Sequence, residues 1–126
     1  MPVYGIGIDL VKTDRIGALI ARWGERFETR VFTESEREFC SQRKNRASCL
    51  AMRFAAKEAF VKALGIGLRT PVLWLDMEVR PNELGRPEIS LSERALQYCT
   101  ESGVRSWHLS LTDDGEYGAA VVVVET

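Results

Sequence analysis

The sequence contains few cysteines, and their spacing excludes the common metal and redox motifs. Cys40, Cys49 and Cys99 are the three cysteines among 126 residues, and no C-x-x-C pair occurs. Zinc ribbons and thioredoxin-like motifs are therefore excluded. Because the number is odd and no basic segment followed by an apolar one opens the sequence, we expect reduced thiols, no structural disulfide and a cytoplasmic location.

Long apolar runs and nucleotide-binding motifs are missing as well. No run approaches the roughly 20 apolar residues of a membrane-spanning helix, which argues against a membrane partner. Gly5 and Gly7 lack the third glycine of a dinucleotide fingerprint, and no Gly-Lys-Ser/Thr sequence occurs. The basic residues of the first helical segment are predicted to have no exposed aromatic side chains between them, which argues against a nucleic-acid partner.

The length and the hydrophobic content of the chain fit one folded domain over residues 1–126. Hydrophobic residues make up 45% of the chain, close to the globular average, and the length suits a modest core. The net charge of −1 divides into +4 over residues 1–62 and −5 over residues 63–126. A basic N-terminal half suits an anionic partner such as phosphate, nucleic acid or an acidic protein, although a mixed solvated surface has the same charge balance.

Hydrophobic periodicity predicts an α+β fold in the order β-α-α-α-β-β-α-β-β. We expect a largely antiparallel sheet packed with a long central helix. Thr33 and Glu36 predict a capping box at the start of a short helix. The Asp114-Gly115 pair predicts the turn of a closing hairpin.

Two segments alternate with the two-residue period of half-buried strands. In residues 3–11 an apolar row is predicted to face the core. The other row, with two glycines and Asp9, is predicted to face away, where a metal or a bulky ligand can approach the carboxylate. Asp9 fits a structural cap at the strand end equally well. Residues 72–80 are predicted to bury a second apolar row. The two rows are Tyr4, Ile6, Ile8 and Leu10, and Leu73, Leu75, Met77 and Val79.

Residues 53–67 predict the central helix, which ends at Gly65. Glu58 and Lys62 are four residues apart and therefore share one face of this helix with Phe54. A carboxylate and an ammonium at the boundary of the buried face can meet a ligand. The same pair also fits an ordinary surface ion pair, which contributes only about 0.3–0.5 kcal/mol.

Residues 14–27 predict an amphipathic helix, with Trp23 on its apolar side. Arg15, Arg22 and Arg26 lie on or beside the polar side. This row suits docking onto an acidic helix, and a solvated face explains it as well. His108 is the only histidine, and a lone histidine in a strand fits a structural or a catalytic role.

Three stretches together resemble one family. GIGIDLV lies at the start, RFAAKEAFVKALG in the middle and WHLSLTDDGEYGAAVVVVE at the end. Together with the ELGRP turn, they resemble the bacterial holo-acyl-carrier-protein synthases, the small homotrimeric class of 4′-phosphopantetheinyl transferases. The resemblance covers essentially the whole chain. It implies Mg²⁺-dependent transfer of 4′-phosphopantetheine from coenzyme A to a serine of apo-acyl carrier protein, for fatty acid biosynthesis, with release of adenosine 3′,5′-bisphosphate.

The resemblance also implies roles for individual residues. Asp9 and Glu58 would hold Mg²⁺ and, with Lys62 on the coenzyme A phosphates, form the catalytic set. Glu58 is the candidate that accepts the serine proton, directly or through a metal-bound water. The carrier protein would bind to Arg15, Arg22 and Arg26. The positions that match coenzyme A-binding residues are Lys44, Arg46, Arg53, Lys62, Gly65 and His108.

The larger single-chain members of this superfamily carry two such halves. The resemblance therefore implies a homotrimer with interfacial active sites, to which the apolar C-terminal strand contributes. Two rival functions explain part of the sequence. One is a metal-dependent hydrolase that cleaves the pyrophosphate of coenzyme A with water. The other is a non-catalytic module that binds an acidic protein.

Overall fold

The computed structural model describes residues 2–126 and has the predicted α+β architecture. Its elements, in chain order, are β1 (Val3–Lys12), α1 (Thr13–Trp23), α2 (Glu25–Val31), α3 (Glu34–Ser41), α4 (Arg46–Leu64), a 3₁₀ helix (Trp74–Asp76), β2 (Met77–Pro81), β3 (Pro87–Leu91), α5 (Glu93–Glu101), β4 (Ser106–Asp113) and β5 (Tyr117–Glu125). Among these residues, none of the helices combines the length and the apolar character that crossing a bilayer requires.

The strands form two antiparallel sheets where the sequence predicted one. The larger sheet has the order β1-β5-β4, and β2 pairs with β3 in a separate ribbon. The closing hairpin is confirmed, with Asp114 and Gly115 in its turn. In the larger sheet β1 and β4 are the two edge strands, and α4 packs across one face.

The predicted facing of β1 is wrong. Ile6, Ile8 and Leu10 are each more than 60% exposed, whereas Gly7 is buried. A Cβ atom at Gly7 would lie 1.8 Å from the carbonyl oxygen of Ala59 in α4. The missing side chain therefore lets the helix backbone rest directly on the strand, which places the glycine row and Asp9 against α4. The bulky group that approaches this row is the protein's own helix.

The central helix α4 begins and ends at side-chain and backbone caps. Asn45 Oδ1 accepts a hydrogen bond from the Ser48 backbone amide at 3.0 Å. Gly65 adopts a left-handed conformation with φ of 78°, which confirms the predicted end. Most of the residues between these caps are buried, so α4 forms the centre of the core.

The predicted first helix is two helices. Gly24 has φ of 56° and separates α1 from α2. Because α1 ends at Trp23, this side chain does not continue the apolar face and is 45% exposed. The predicted capping box of α3 is confirmed, since Thr33 and Glu36 each accept from the other's backbone amide.

The expectation of three reduced cysteines is wrong for two of them. Cys40 of α3 and Cys49 of α4 form a disulfide, with Cα atoms 5.5 Å apart, and Cys99 is a buried free thiol. The partners are nine residues apart in sequence. Spacing rules for redox and metal motifs do not detect such a pair, because the turn between two helices brings it together.

Residues 72–80 form a strand only in their second half. Met77 and Val79 are buried as predicted, but Leu73 and Leu75 are exposed. The reason is Asp76, whose carboxylate accepts a hydrogen bond from the Leu73 backbone amide at 2.9 Å. This bond closes a 3₁₀ turn in place of the extended backbone.

Asp76 also connects this turn to α5, and its replacement gives a pH-dependent prediction. Its two oxygens accept hydrogen bonds from Arg94 at 2.8 Å, which lower the pKa of this carboxyl from 3.8 to about 2. The contribution of the ionised Asp76 to the free energy of unfolding is thus fully present above pH 3.8 and is lost as the pH falls towards 2. We expect Asp76→Asn to lower the free energy of unfolding by about 1–2 kcal/mol at pH 6, since Arg94 is half exposed. Urea denaturation should show a smaller difference at pH 3; a pH-independent difference would contradict this origin.

Candidate active site

Two predicted site residues meet where β1 crosses α4. Lys62 Nζ donates hydrogen bonds to Asp9 Oδ1 at 3.2 Å and to the Ile8 carbonyl oxygen at 3.1 Å. The Asp9 side chain is mostly buried, whereas that of Lys62 is half exposed. Lys62 therefore pairs with Asp9 on the strand and not with Glu58 on its own helix, which was the alternative of a surface ion pair. Its ammonium group is accessible to a ligand from solvent.

Glu58 completes a pair of neighbouring carboxylates. Burial raises the pKa of Glu58, and the charge of Asp9 raises it further, while Lys62 and Arg15 act in the opposite direction. Asp9 on β1 and Glu58 on α4 lie at the same contact between strand and helix. The negative charge of Asp9 therefore acts on the Glu58 carboxyl group. Within the described part of the chain, no three histidine, cysteine or acidic side chains cluster in a way that could hold a metal ion. The site is thus a carboxylate pair accompanied by a lysine.

Arg15 of α1 lies beside this pair. Its guanidinium group is 5.6 Å from the centre of the Phe54 ring, and Phe54 stacks on Trp74 at 4.8 Å. Since Arg15 also influences the pKa of Glu58, this arginine faces the carboxylates. Of the three arginines predicted for the carrier-protein surface, it is the one nearest to the candidate catalytic residues.

Arg22 and Arg26 lie farther along the same surface. Their guanidinium groups are 5.0 and 5.8 Å from the centre of the Trp23 ring. An exposed aromatic side chain therefore does lie between basic residues here, contrary to the prediction. The arrangement gives the α1–α2 surface an apolar centre with positive charge on both sides.

A second cluster of predicted residues surrounds a cleft of about 590 Å³ between α3, α4 and the end of β4. Lys44 and Arg53 line it, as does Arg43, which the sequence analysis missed although it precedes Lys44 directly. The guanidinium groups of Arg43 and Arg53 lie 4.2 and 4.5 Å from the centre of the Phe39 ring. Arg53 Nε is buried and finds no hydrogen-bond partner among the described residues. A buried N–H group without a partner, beside a basic cleft, fits an anionic ligand.

Arg46 does not join this cleft. Its guanidinium group forms a bidentate ion pair with the Glu28 carboxylate of α2. Nη1 donates to Oε2 at 3.2 Å, and Nη2 donates to Oε1. The side chain therefore connects α4 to α2. Its predicted role in binding coenzyme A is not supported by this position.

The carboxylate pair and the cleft lie on different sides of α4. Successive helical residues are rotated by about 100°, so Glu58 and Arg53 point about 140° apart. The sheet confirms this separation, because Asp9 belongs to the β1 edge whereas Leu111 and Asp113 of the β4 edge line the cleft. One chain thus presents two separate clusters at opposite edges of one sheet.

The remaining predicted site residues lie outside both clusters. His108 Nε2 is 2.7 Å from Glu125 Oε1, on the sheet face turned away from α4. His108 is in register with Val123, which in turn pairs with Ile6, and this row belongs to the exposed apolar face. Gly65 follows α4, one turn beyond Lys62.

A buried ion pair explains the lysine that precedes Glu58. Lys57 Nζ donates to Glu36 Oε1 and to the Val31 carbonyl oxygen, both at 2.7 Å, and both charged side chains are fully buried. Burial lowers the pKa of Lys57, which the charge of Glu36 counteracts. Lys57 thus fixes α4 to α2 and α3 and does not reach a ligand.

Comparison with known proteins agrees over the whole chain. The model of the 4′-phosphopantetheinyl transferase superfamily matches residues 5–122. The holo-[acyl-carrier-protein] synthase of Trichlorobacter lovleyi is 47% identical over 123 residues, which are 98% of each chain.

Two solved structures show the same fold. The holo-[acyl-carrier-protein] synthase of Neisseria meningitidis is 35% identical with a TM-score of 0.94, covering 99% of this chain and 100% of that one. The Helicobacter pylori synthase, solved in complex with coenzyme A, is 32% identical with a TM-score of 0.84, covering 95% and 99%. The chain therefore belongs to the 4′-phosphopantetheinyl transferase superfamily, within the holo-[acyl-carrier-protein] synthase family.

Proposed function

We propose that this chain transfers 4′-phosphopantetheine from coenzyme A to a serine hydroxyl of apo-acyl carrier protein and releases adenosine 3′,5′-bisphosphate. The observation that supports this most strongly is the carboxylate pair, Asp9 and Glu58, with Lys62 beside it at the crossing of β1 and α4. The pair brings together residues that lie almost fifty positions apart in sequence. It supplies both a cation site and a positive charge for a pyrophosphate.

We further propose that Asp9 and Glu58 hold Mg²⁺. Carboxylate oxygens are the ligands that Mg²⁺ prefers, and two of them leave positions for phosphate oxygens and water. Burial raises the pKa of Glu58 and the like charge of Asp9 raises it further, and a bound cation would offset both effects. When bound, the ion would stabilise negative charge on the pyrophosphate under attack.

Lys62 and Glu58 would then have different roles in the transfer step. Lys62 would leave Asp9 and bind the phosphate oxygens, where its charge stabilises the leaving bisphosphate. Glu58 would accept the proton of the serine hydroxyl, directly or through one water molecule.

The cleft would bind the nucleotide end of coenzyme A. Lys44, Arg43 and Arg53 provide positive charge for the 3′-phosphate, and the buried Arg53 Nε has no partner among residues 2–126. Because this cleft lies at the β4 edge and the carboxylates lie at the β1 edge, we propose that each active site joins two copies of the chain. A cyclic homotrimer would form three such sites.

The exposed face of the large sheet supports this assembly. Ile6, Ile8 and Leu10 form an apolar row along β1, and Val121 and Val123 of β5 lie beside it on the same face. Monomeric proteins rarely expose such a patch. The face is continuous with both edges of the sheet, so covering it with further copies would bring a β4 edge to a β1 edge.

Replacing one residue of this face should separate the copies. We expect Ile8→Glu to change the sedimenting species from trimer to monomer, because a carboxylate would be buried in an apolar contact. Transfer activity should fall with the trimer. Leu84→Glu is the matched control, since Leu84 is 88% exposed in the turn between β2 and β3, away from the face. An Ile8→Glu protein that stays trimeric, or a fully active monomer, would contradict the interfacial site.

The carrier protein would dock on α1 and α2. Arg15, Arg22 and Arg26 provide positive charge along this surface, and Trp23 provides an apolar contact between two of them. An acidic helix of the carrier fits such a surface. Arg15 would bring the carrier's serine close to Glu58.

We also propose that the chain acts as one domain, in the cytoplasm and in fatty acid biosynthesis, where its carrier substrate is used.

Intact-mass spectrometry of apo-acyl carrier protein tests the reaction. After incubation with this protein, coenzyme A and Mg²⁺, the carrier should gain the mass of one phosphopantetheine, and a chelator should abolish the gain. Loss of coenzyme A without a gain in carrier mass would indicate a hydrolase instead. An unchanged carrier and unchanged coenzyme A, across several carriers, would leave a binding module as the function.

A further inference from the structure

We propose that Cys40 and Cys49 form a reversible thiol–disulfide site that controls ligand affinity in the basic cleft. The inference rests on the proposed function, because the ligand considered is the nucleotide end of coenzyme A. The disulfide joins the last turn of α3 to the first turn of α4. Residues 42–45 between these helices have no regular secondary structure, and they include two of the basic residues that line the cleft.

The Cys40–Cys49 disulfide is a covalent cross-link between the two ends of this segment. Arg43 donates its backbone amide to the Cys40 carbonyl oxygen at 3.1 Å, and Asn45 caps α4. These contacts fix the two ends of the segment, whereas Lys44 lies between them and is exposed. Closing the loop with a disulfide reduces the number of backbone conformations open to residues 42–45, which carry Arg43 and Lys44.

The two sulfurs differ in their accessibility. Cys40 is fully buried, whereas Cys49 is 7% exposed and lines the cleft, so a reductant would reach Cys49 Sγ from the cleft. Arg53 donates Nη1 to the Cys49 carbonyl oxygen at 3.4 Å, which places its positive charge beside this residue. Positive charge favours the thiolate form of the freed Cys49, which is the nucleophile when the disulfide forms again.

The exchange requires a dithiol, either a small molecule or a thioredoxin-type protein. Its first thiolate attacks Cys49 Sγ, the Cys40–Cys49 bond breaks, and Cys40 leaves as a thiolate that takes up a proton. The second thiol of the reductant then attacks its own sulfur of the mixed disulfide and releases Cys49. Two electrons enter the protein, and the dithiol becomes a disulfide. A disulfide oxidant reverses these steps.

Reduction would weaken binding without disturbing the carboxylates. The freed segment must be ordered again when an anionic ligand binds, and ordering it costs affinity. Asp9 and Glu58 lie at the opposite edge of the sheet, so kcat should not change. We therefore expect the dissociation constant for adenosine 3′,5′-bisphosphate to rise roughly three- to tenfold on reduction. This ligand carries no thiol, so it does not itself exchange with the disulfide.

The test equilibrates the assembled protein in mixtures of reduced and oxidised dithiothreitol. Thiols are then blocked with N-ethylmaleimide under denaturing conditions and counted by intact mass. Two thiols should appear together on reduction, with faster hydrogen exchange over residues 41–48 and weaker binding of adenosine 3′,5′-bisphosphate by calorimetry. The double variant Cys40→Ala/Cys49→Ala should show the weaker binding in both conditions.

Cys99→Ala is the matched control. Burial raises the pKa of Cys99 to about 11, so this thiol is unreactive and its variant should keep the full redox response. Cysteines that stay reduced at every dithiothreitol ratio would overturn the inference, as would equal dissociation constants in both states. Transfer activity is not part of this readout. If the protein binds the bisphosphate but modifies no carrier protein, the proposed transferase function is wrong. The thiol count and the two dissociation constants still decide the redox inference in that case.

Discussion

Glu58→Gln is expected to reduce kcat/KM for phosphopantetheine transfer about 10³-fold while leaving the fold intact. The amide has nearly the same shape as the carboxylate, but it carries no charge for a cation and does not accept the serine proton. Glu58 is only partly buried, and among the described residues it forms no ion pair within the core. The loss should therefore appear in activity and not in unfolding experiments.

Two further measurements separate this expectation from a structural effect. Calorimetry should show weaker Mg²⁺ binding by Glu58→Gln, and urea denaturation should match the wild type. Glu93→Gln makes the same chemical change at an exposed position of α5 and should leave both activity and metal binding unchanged. A Glu58→Gln protein with more than a tenth of wild-type activity would show that Glu58 is not the catalytic carboxylate.

Glu36→Gln is expected to destabilise the protein by about 3–5 kcal/mol, because it leaves the ammonium group of Lys57 buried without a counter-charge. Glu36 accepts hydrogen bonds from Lys57 at 2.7 Å, from the Val79 amide at 2.7 Å and from the Thr33 amide at 2.9 Å. All three partners are donors, so the amide group of glutamine would oppose one of them. Urea denaturation at one fixed protein concentration measures the change.

The double variant Glu36→Gln/Lys57→Met provides the internal check on this pair. Removing both charges should recover part of the lost stability, since no buried charge is then left unpaired. Glu34→Gln changes an exposed glutamate in the same turn of α3 and should cost less than about 0.5 kcal/mol. A Glu36→Gln loss below about 1 kcal/mol would contradict the importance of the pair.

Local signals in the sequence predicted much of the architecture. Helix caps and turns depend on a few neighbouring residues, so Thr33, Gly65 and the Asp114-Gly115 turn were predicted correctly. The pairing of Asp9 with the Glu58 helix came from motifs whose spacing is unusual enough to identify a family. The structure then brought these residues to one place, which strand and helix periodicity alone did not require.

The errors concern surfaces that only tertiary contacts and assembly define. An alternating strand with glycines on one side and isoleucines on the other normally buries the isoleucines. Here the glycines of β1 face the core because α4 rests on them, and the row containing Ile8 is exposed, where we propose contact with another copy of the chain. In the same way, the Cys40–Cys49 pair depends on how α3 and α4 pack, which residue spacing does not encode.

The central claim is that each active site combines the carboxylates of one copy with the cleft of another. Its most direct test mixes two inactive proteins, Glu58→Gln and the double variant Arg43→Glu/Lys44→Glu, after dissociation and reassembly. Neither should modify acyl carrier protein alone. Random reassembly should restore about one quarter of the wild-type rate, because about one site in four then receives both intact halves. A mixture that stays as inactive as its components would show that both halves act within one chain, and would contradict the account.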